Sequence, residues 1–263
     1  MKAFKVILII LLVIVVAIVL FLGYLGYVPG LSAIFGSNKP RDLGVSYTEA
    51  DRSSARAKSQ IEYKELPANT PAEQSLVRSG SRAVTANFSS AEITALMNNR
   101  PYKDWPYKDV QMKFNADGTV EVSGRLIKSR VAGYCASIGV SKEVAEKIVQ
   151  YLPADPVYYV KSKAALSNNQ VSVLEPSTVE IGRMSIPLNW ILSINNRNNI
   201  AYAQGANGIK TELNNYNGKK AKIVEYINAH LAGISGFFAK SAYFEENKLH
   251  FEGNLNETEA SVR

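Results

Sequence analysis

The stretch that most constrains this chain runs from Val6 to Val28. It holds 23 residues, VILIILLVIVVAIVLFLGYLGYV, and no charge occurs between Lys5 and Lys39. A helix rises about 1.5 Å per residue, so this run would reach roughly 35 Å, against a hydrocarbon core of about 30 Å. Its many β-branched residues are no obstacle, because lipid forces the backbone to satisfy its hydrogen bonds internally. Tyr24 and Tyr27 stand where an interfacial aromatic belt falls. A cleaved signal peptide has a shorter apolar core and a small-x-small site. The sequence Gly-Tyr-Leu-Gly-Tyr-Val-Pro-Gly is a poor match to such a site. The expectation is an uncleaved signal anchor, a single transmembrane helix. Lys2 and Lys5 precede it and favour the N-terminus inside. Everything after Pro29 is then extracytoplasmic, at the cell membrane.

The remainder of the 263 residues suffices for one sizeable domain, and 46% hydrophobic content permits a core. Cys135 is the sole cysteine, so no intrachain disulfide forms. With only His230 and His250 a histidine-rich metal site is excluded, and no metal or other cofactor is expected. The formal charge of +7 is a mild excess without a long basic block. It suits a surface near anionic headgroups and is common in soluble domains too.

Organisation comes from a plan used twice. Ser89 and Glu92 have capping-box spacing, and Ile93, Leu96 and Met97 share one helical face. A hairpin follows: Val110, Met112 and Phe114 alternate with polar residues, Ala116-Asp117-Gly118 supplies the turn, and Val120 and Val122 alternate again. Near the C-terminus, Ile223, Ile227 and Leu231 mark a second helix, before AKSAYF–EEN–KLHFEGNL. Setting Gly124 on Gly253 places Phe114 on Tyr243, Val120 on Leu249 and Val122 on Phe251. The expected fold class is α+β: an N-terminal transmembrane helix, then a curved, mainly antiparallel sheet wrapped around helices, with a duplicated helix–hairpin unit. The expected divisions are 1–28 (cytoplasmic tip and span), 29–81 (connector with a surface helix) and 82–263 (the α+β domain).

Other segments read as follows. Gly30 to Pro40 is a connector whose Leu31, Ile34 and Phe35 would dip into the interface. Ser46 to Leu66 is a helix, with capping-box spacing at both Ser46/Glu49 and Thr48/Asp51. Residues 67–81 form a loop. Tyr102, Trp105 and Tyr107 interleave with Lys103 and Lys108. These aromatics cover a core edge, or Lys103, Trp105 and Lys108 meet lipid headgroups; nucleic acid is not expected on an anchored outer domain. Ser141 caps a helix ending at Pro153. Two long strands joined by Ser167-Asn168-Asn169 follow, and Pro176 argues for an edge or a bulge. Residues 195–217 are rich in Asn and Gly and read as a loop. The tail after Leu255 reads as frayed.

The motifs FSSAEITALMNN, DVQMKFNADGTVEVSGRL, VEIGRMSIP and YFEENKLHFEGNL, in this order behind an anchor, resemble bacterial envelope proteins of tubular lipid-binding character. The YpmS-like and LmeA-like phospholipid-binding groups are the ones they are most similar to. The resemblance spans roughly residues 82–255. It implies a strongly curved sheet rolled about helices, an apolar groove for acyl chains, and no catalytic residues. The residues themselves allow such a groove: a curled sheet has a concave apolar face, and acyl chains fill whatever the helices leave empty. Its candidate lining is Ile93, Leu96, Met97, Phe114, Val120, Val122, Trp190, Ile223, Ile227, Leu231 and Phe238. The same residues would also pack a dry core. Two functions therefore stand: an anchored domain binding phospholipid or a polyprenyl-linked envelope precursor, or a non-enzymatic scaffold with protein partners in an envelope complex. An enzyme would need a constellation assembled only by the fold.

Overall fold

The computed structural model describes residues 2–154, 156–186 and 216–263. Trp190 and nearly all of the Asn-rich segment lie outside the described residues. Seven α-helices and eleven strands are present among them. Helix α1 (Lys2–Tyr24) leads into α2 (Pro29–Phe35). Among the described residues no single helix is long and apolar enough to cross a membrane. Ile9–Tyr24 and Pro29–Phe35 meet that measure together, as a pair bent by 68°. From Ile9 to Leu22 the large apolar side chains of α1 stand exposed on every side, Leu11 at 61% and Val16 at 49%. The bend between α1 and α2 is held by Ser32 and Ser37, whose hydroxyls both donate to the Gly23 carbonyl at 3.0 Å.

The rest of the chain is α+β, built on a strongly curled antiparallel half-barrel of eight strands. Its order is β3 (Arg82–Ser89), β10 (Lys248–Leu255), β9 (Phe238–Glu245), β6 (Val157–Ser167), β5 (Thr119–Leu126) and β4 (Tyr107–Phe114). The other side of β6 carries β7 (Gln170–Ile181), which in turn pairs β8 (Met184–Ser185). Strand β6 is the spine. Val157 to Lys163 pair with β5, and Ala165 to Ser167 with β9, so both hairpins dock end to end along one long strand. The β6–β7 turn places Asn168 and Asn169 at φ 51° and 59°, the left-handed pair that a two-residue hairpin requires. Pro176 faces Ser162 beside a register shift, where its missing N–H is tolerated.

Both hairpins form, but their equivalence is offset from the sequence alignment. Phe114 corresponds to Phe244, not to Tyr243: Phe114 pairs Val120, and Phe244 pairs Leu249. The second turn is one residue shorter, which shifts the first strand by one. Tyr243 is thereby turned outward, 38% exposed. The helices also differ in placement. Helix α4 (Ser90–Asn98) lies on its own hairpin: Thr94 Oγ1 accepts from the Met112 amide at 3.0 Å and Ser90 Oγ from the Phe114 amide at 3.1 Å. Its capping box is formed as expected, by Ser89 and Glu92. Helix α7 (Tyr216–Gly233) instead packs chiefly on β7, where Asn228 Oδ1 accepts from the Val171 amide at 2.8 Å.

The expected connector is part of the fold. Helix α3 covers Glu49–Ser59 alone, capped by Thr48 and Asp51; Gln60 at φ 53° ends it. Its Ala55, wholly buried, joins Phe88 and Phe251 in the core. Strands β1 (Glu62–Glu65) and β2 (Leu76–Ser79) flank β11 (Thr258–Ser261) in a second, three-stranded sheet. The tail is therefore not frayed: Glu259 and Val262 are each 1% exposed. Polar composition concealed this strand because its partners lie far earlier in the chain, with Glu62 and Ser79 both pairing Thr258. Helices α5 (Lys128–Ser137) and α6 (Lys142–Val149) pack on each other. The α1–α2 segment meets the barrel where a Cβ on Gly182, at φ +65°, would overlap the Leu25 carbonyl.

Candidate functional site

A cavity of about 580 Å³ lies between the concave face of the half-barrel and helices α4 and α7. That is within the range of small-molecule sites. The strand period places alternate residues on this face. Leu249 and Phe251 stand opposite Phe88 and Ala86 on β3, and opposite Phe244 and Ala242 on β9. Leu166 continues the row on β6 through its pairing with Ala242. Ile93 and Leu96, one turn apart on α4, close one side. Ile227 and Leu231, one turn apart on α7, close the other with Ile234. Phe88, Phe251 and Ala242 are buried in the packed base of this face, whereas Leu249, Phe244, Leu166 and the helix residues Ile93, Leu96, Ile227, Leu231 and Ile234 are only half-buried and border the open space.

One end of the cavity is polar. Tyr63 on β1, Glu259 on β11 and Arg78 on β2 sit in register across the small sheet, so all three share a face. Glu259 Oε1 accepts from Arg100 Nε at 3.1 Å, and its Oε2 from Arg100 Nη2 and from Arg78 Nε, the latter at 3.1 Å. Arg100 also lies 4.9 Å above the Trp105 ring, which holds its plane. Burial pushes the Tyr63 hydroxyl pKa up, so it stays protonated at neutral pH. Burial, with the Arg78 charge adding to it, pushes the His230 imidazole down.

Of the lining expected from sequence, Ile93, Leu96, Ile227 and Leu231 come together at this cavity. The others do not line it. Met97 packs against Tyr102 and Trp105 on the far side of α4. Phe114 and Val120 are buried, 3% and 8% exposed, one layer behind Phe244. Val122 faces Met112 and Val160 further along the sheet. Ile223 lies a turn beyond the cavity on α7. Phe238 is 42% exposed, and its neighbour Phe237 takes the inward place, tilted on Phe251. Trp190 lies outside the described residues.

The expected headgroup trio separates too. Lys103 and Lys108 are exposed, but Trp105 is 7% exposed. Its indole donates to the Met97 carbonyl at 2.7 Å, and Tyr107 and Tyr134 pack edge-on against it. The alternating Lys/aromatic pattern is that of a loop running into strand β4, whose aromatics turn in and whose lysines turn out. The polar end of the cavity was missed altogether. Arg78 and Glu259 fall in segments that read as loop and tail, and no local pattern signals their meeting.

Comparison with protein-family models, with curated proteins and with solved structures finds no match to this chain.

Proposed function

We propose that this protein is a membrane-anchored, non-enzymatic binding domain that holds the acyl chain of a lipid in the cavity between the half-barrel and helices α4 and α7. The observation that carries the reading is the cavity itself: about 580 Å³, walled by Phe, Leu and Ile side chains and left open by the described residues. An acyl chain gains roughly 0.8 kcal/mol for each CH₂ it buries there. Helix α1 supports the membrane half of the proposal. Its segment Ile9–Tyr24 and helix α2, bent by 68°, together have the length and apolarity of a span, and the large apolar side chains from Ile9 to Leu22, exposed all round, make a surface larger than a monomer in water tolerates. Lys2 and Lys5 favour the N-terminus inside. The tubular lipid-binding resemblance of the hairpin motifs points the same way.

The experiment is native mass spectrometry and lipid extraction of the full chain purified from membranes, beside Leu231→Arg. A stoichiometric lipid mass is expected on the wild type and absent from the folded variant. Annular lipid around α1 would be retained equally by both. Equal retention, or a wild-type chain free of bound lipid, overturns the reading.

A further inference from the structure

We infer that the cavity takes an acyl lipid whose head is an oxyanion, a carboxylate or a phosphate, held at its polar end by Arg78 and Tyr63. This rests on the lipid-binding reading above and adds the chemistry of the head.

The charge balance at that end is unequal. Glu259 is the one carboxylate lining the cavity among the described residues, and two guanidiniums face it. Its side chain is 2% exposed, so its charge must be paired, and Arg100 alone pairs it through two parallel bonds. Arg78 adds a third bond through Nε only. Among the described residues no hydrogen bond reaches either terminal nitrogen of Arg78, and none reaches the Tyr63 hydroxyl. One positive charge and at least three N–H or O–H donors therefore remain at the wall of an apolar cavity. A polar group so placed costs free energy unless something accepts from it. An oxyanion accepts from all of them and cancels the charge; an alcohol or ester head does not.

The neighbouring groups agree. Arg56 lies with its guanidinium 5.0 Å from the Tyr63 ring centroid, adding positive potential, and its Nε is buried without a partner among the described residues. His230 on α7 stays neutral at pH 7, so it neither adds nor removes charge. Tyr63 keeps its proton and can donate. The apolar rows from Phe251, Leu249 and Phe244 lead away from this end, so a chain lies along them once its head is placed.

The test uses the full chain in bilayer nanodiscs and three photoreactive diazirine probes with one chain length: hexadecanoate, hexadecyl phosphate and hexadecanol. Cross-links are mapped by peptide mass spectrometry. Yield at the α7 and β10 cavity peptides is divided by yield at α1, which samples the bilayer. At least a tenfold higher ratio is expected for one or both oxyanion probes than for the alcohol, and the better of the two names the head. Arg78→Gln is expected to remove that advantage, leaving the alcohol's ratio unchanged. Equal ratios for acid and alcohol in the wild type, or an advantage that survives Arg78→Gln, overturn this inference and leave lipid binding standing. Absence of cavity cross-links with all three probes overturns the lipid-binding reading itself.

Discussion

The ring of Phe114 stacks on that of Phe244, centroids 5.0 Å apart and planes 28° apart. The contact joins the tips of the two hairpins, and the Asn247 amide donates to the Phe114 carbonyl at 3.0 Å beside it. Two hairpins docked end to end on β6 need such a clasp, because β6 offers each only part of its length. The stack also forms the floor of the cavity, since Phe244 lines it and Phe114 does not.

Phe114→Ala is therefore expected to destabilise the fold by about 3–5 kcal/mol, the usual cost of emptying a buried aromatic site. Phe244→Ala should cost less, because one face of that ring already borders open space. Thermal unfolding of both single variants and of the double variant should show a coupling of about 0.5–1.5 kcal/mol. Additive effects would deny the clasp.

Glu259→Gln should be among the most damaging single changes of polar residues. It leaves two guanidiniums facing each other where one carboxylate stood. Removing one partner of a buried ion pair costs about 3–5 kcal/mol. Glu65→Gln, which touches only the exposed Arg263 pair at 3.6 Å, should stay within about 1 kcal/mol of the wild type. Chemical denaturation of the two variants makes the comparison.

Acid should weaken the junction of α3 and α4, where Glu92 is paired with Lys58. Burial pushes the Glu92 pKa up, but hydrogen bonds from Lys58, Ser54 and the Ser89 amide outweigh it and hold the carboxyl below its ordinary 4.5. A folded-state value below the unfolded one means stability that is present above the unfolded pKa. It is lost as pH falls from about 4.5 through the folded value. Glu92→Gln should lower the melting temperature at pH 7 and flatten its fall between pH 5 and 3. A parallel fall in both proteins would place the acid sensitivity elsewhere.

Topology is open to direct measurement. Lys103 is exposed on the folded domain, far in sequence from helix α1. Lys103→Cys, in a Cys135→Ser background, is expected to react with a membrane-impermeant maleimide in intact cells. Labelling only after lysis would place the domain inside and reverse the assignment drawn from Lys2 and Lys5.

Replacing Ile227 with Asp should expel an acyl chain without unfolding the protein, because the side chain faces open cavity and is only half-buried. Met97→Asp should instead unfold it, since Met97 packs on Tyr102 and Trp105. Circular dichroism with lipid extraction distinguishes the two.

What could be read from the sequence alone was what depends on neighbours within about ten residues. The apolar run before Val28, the capping box of Ser89 and Glu92, the alternation in Val110–Phe114 and the Asn168-Asn169 turn each encode one local geometry. Four cavity residues, Ile93, Leu96, Ile227 and Leu231, were legible for the same reason: helical spacing puts each pair on one face. Only the tertiary structure decided which faces meet. A one-residue difference in turn length moved Phe244 inward in place of Tyr243, and β11 became a strand because β1 and β2 were there to pair it. The row of Tyr63, Glu259 and Arg78 is the sharpest case. Its members come from three distant segments with no shared pattern, and hydrogen-bond register across a sheet, which no local sequence records, sets them side by side.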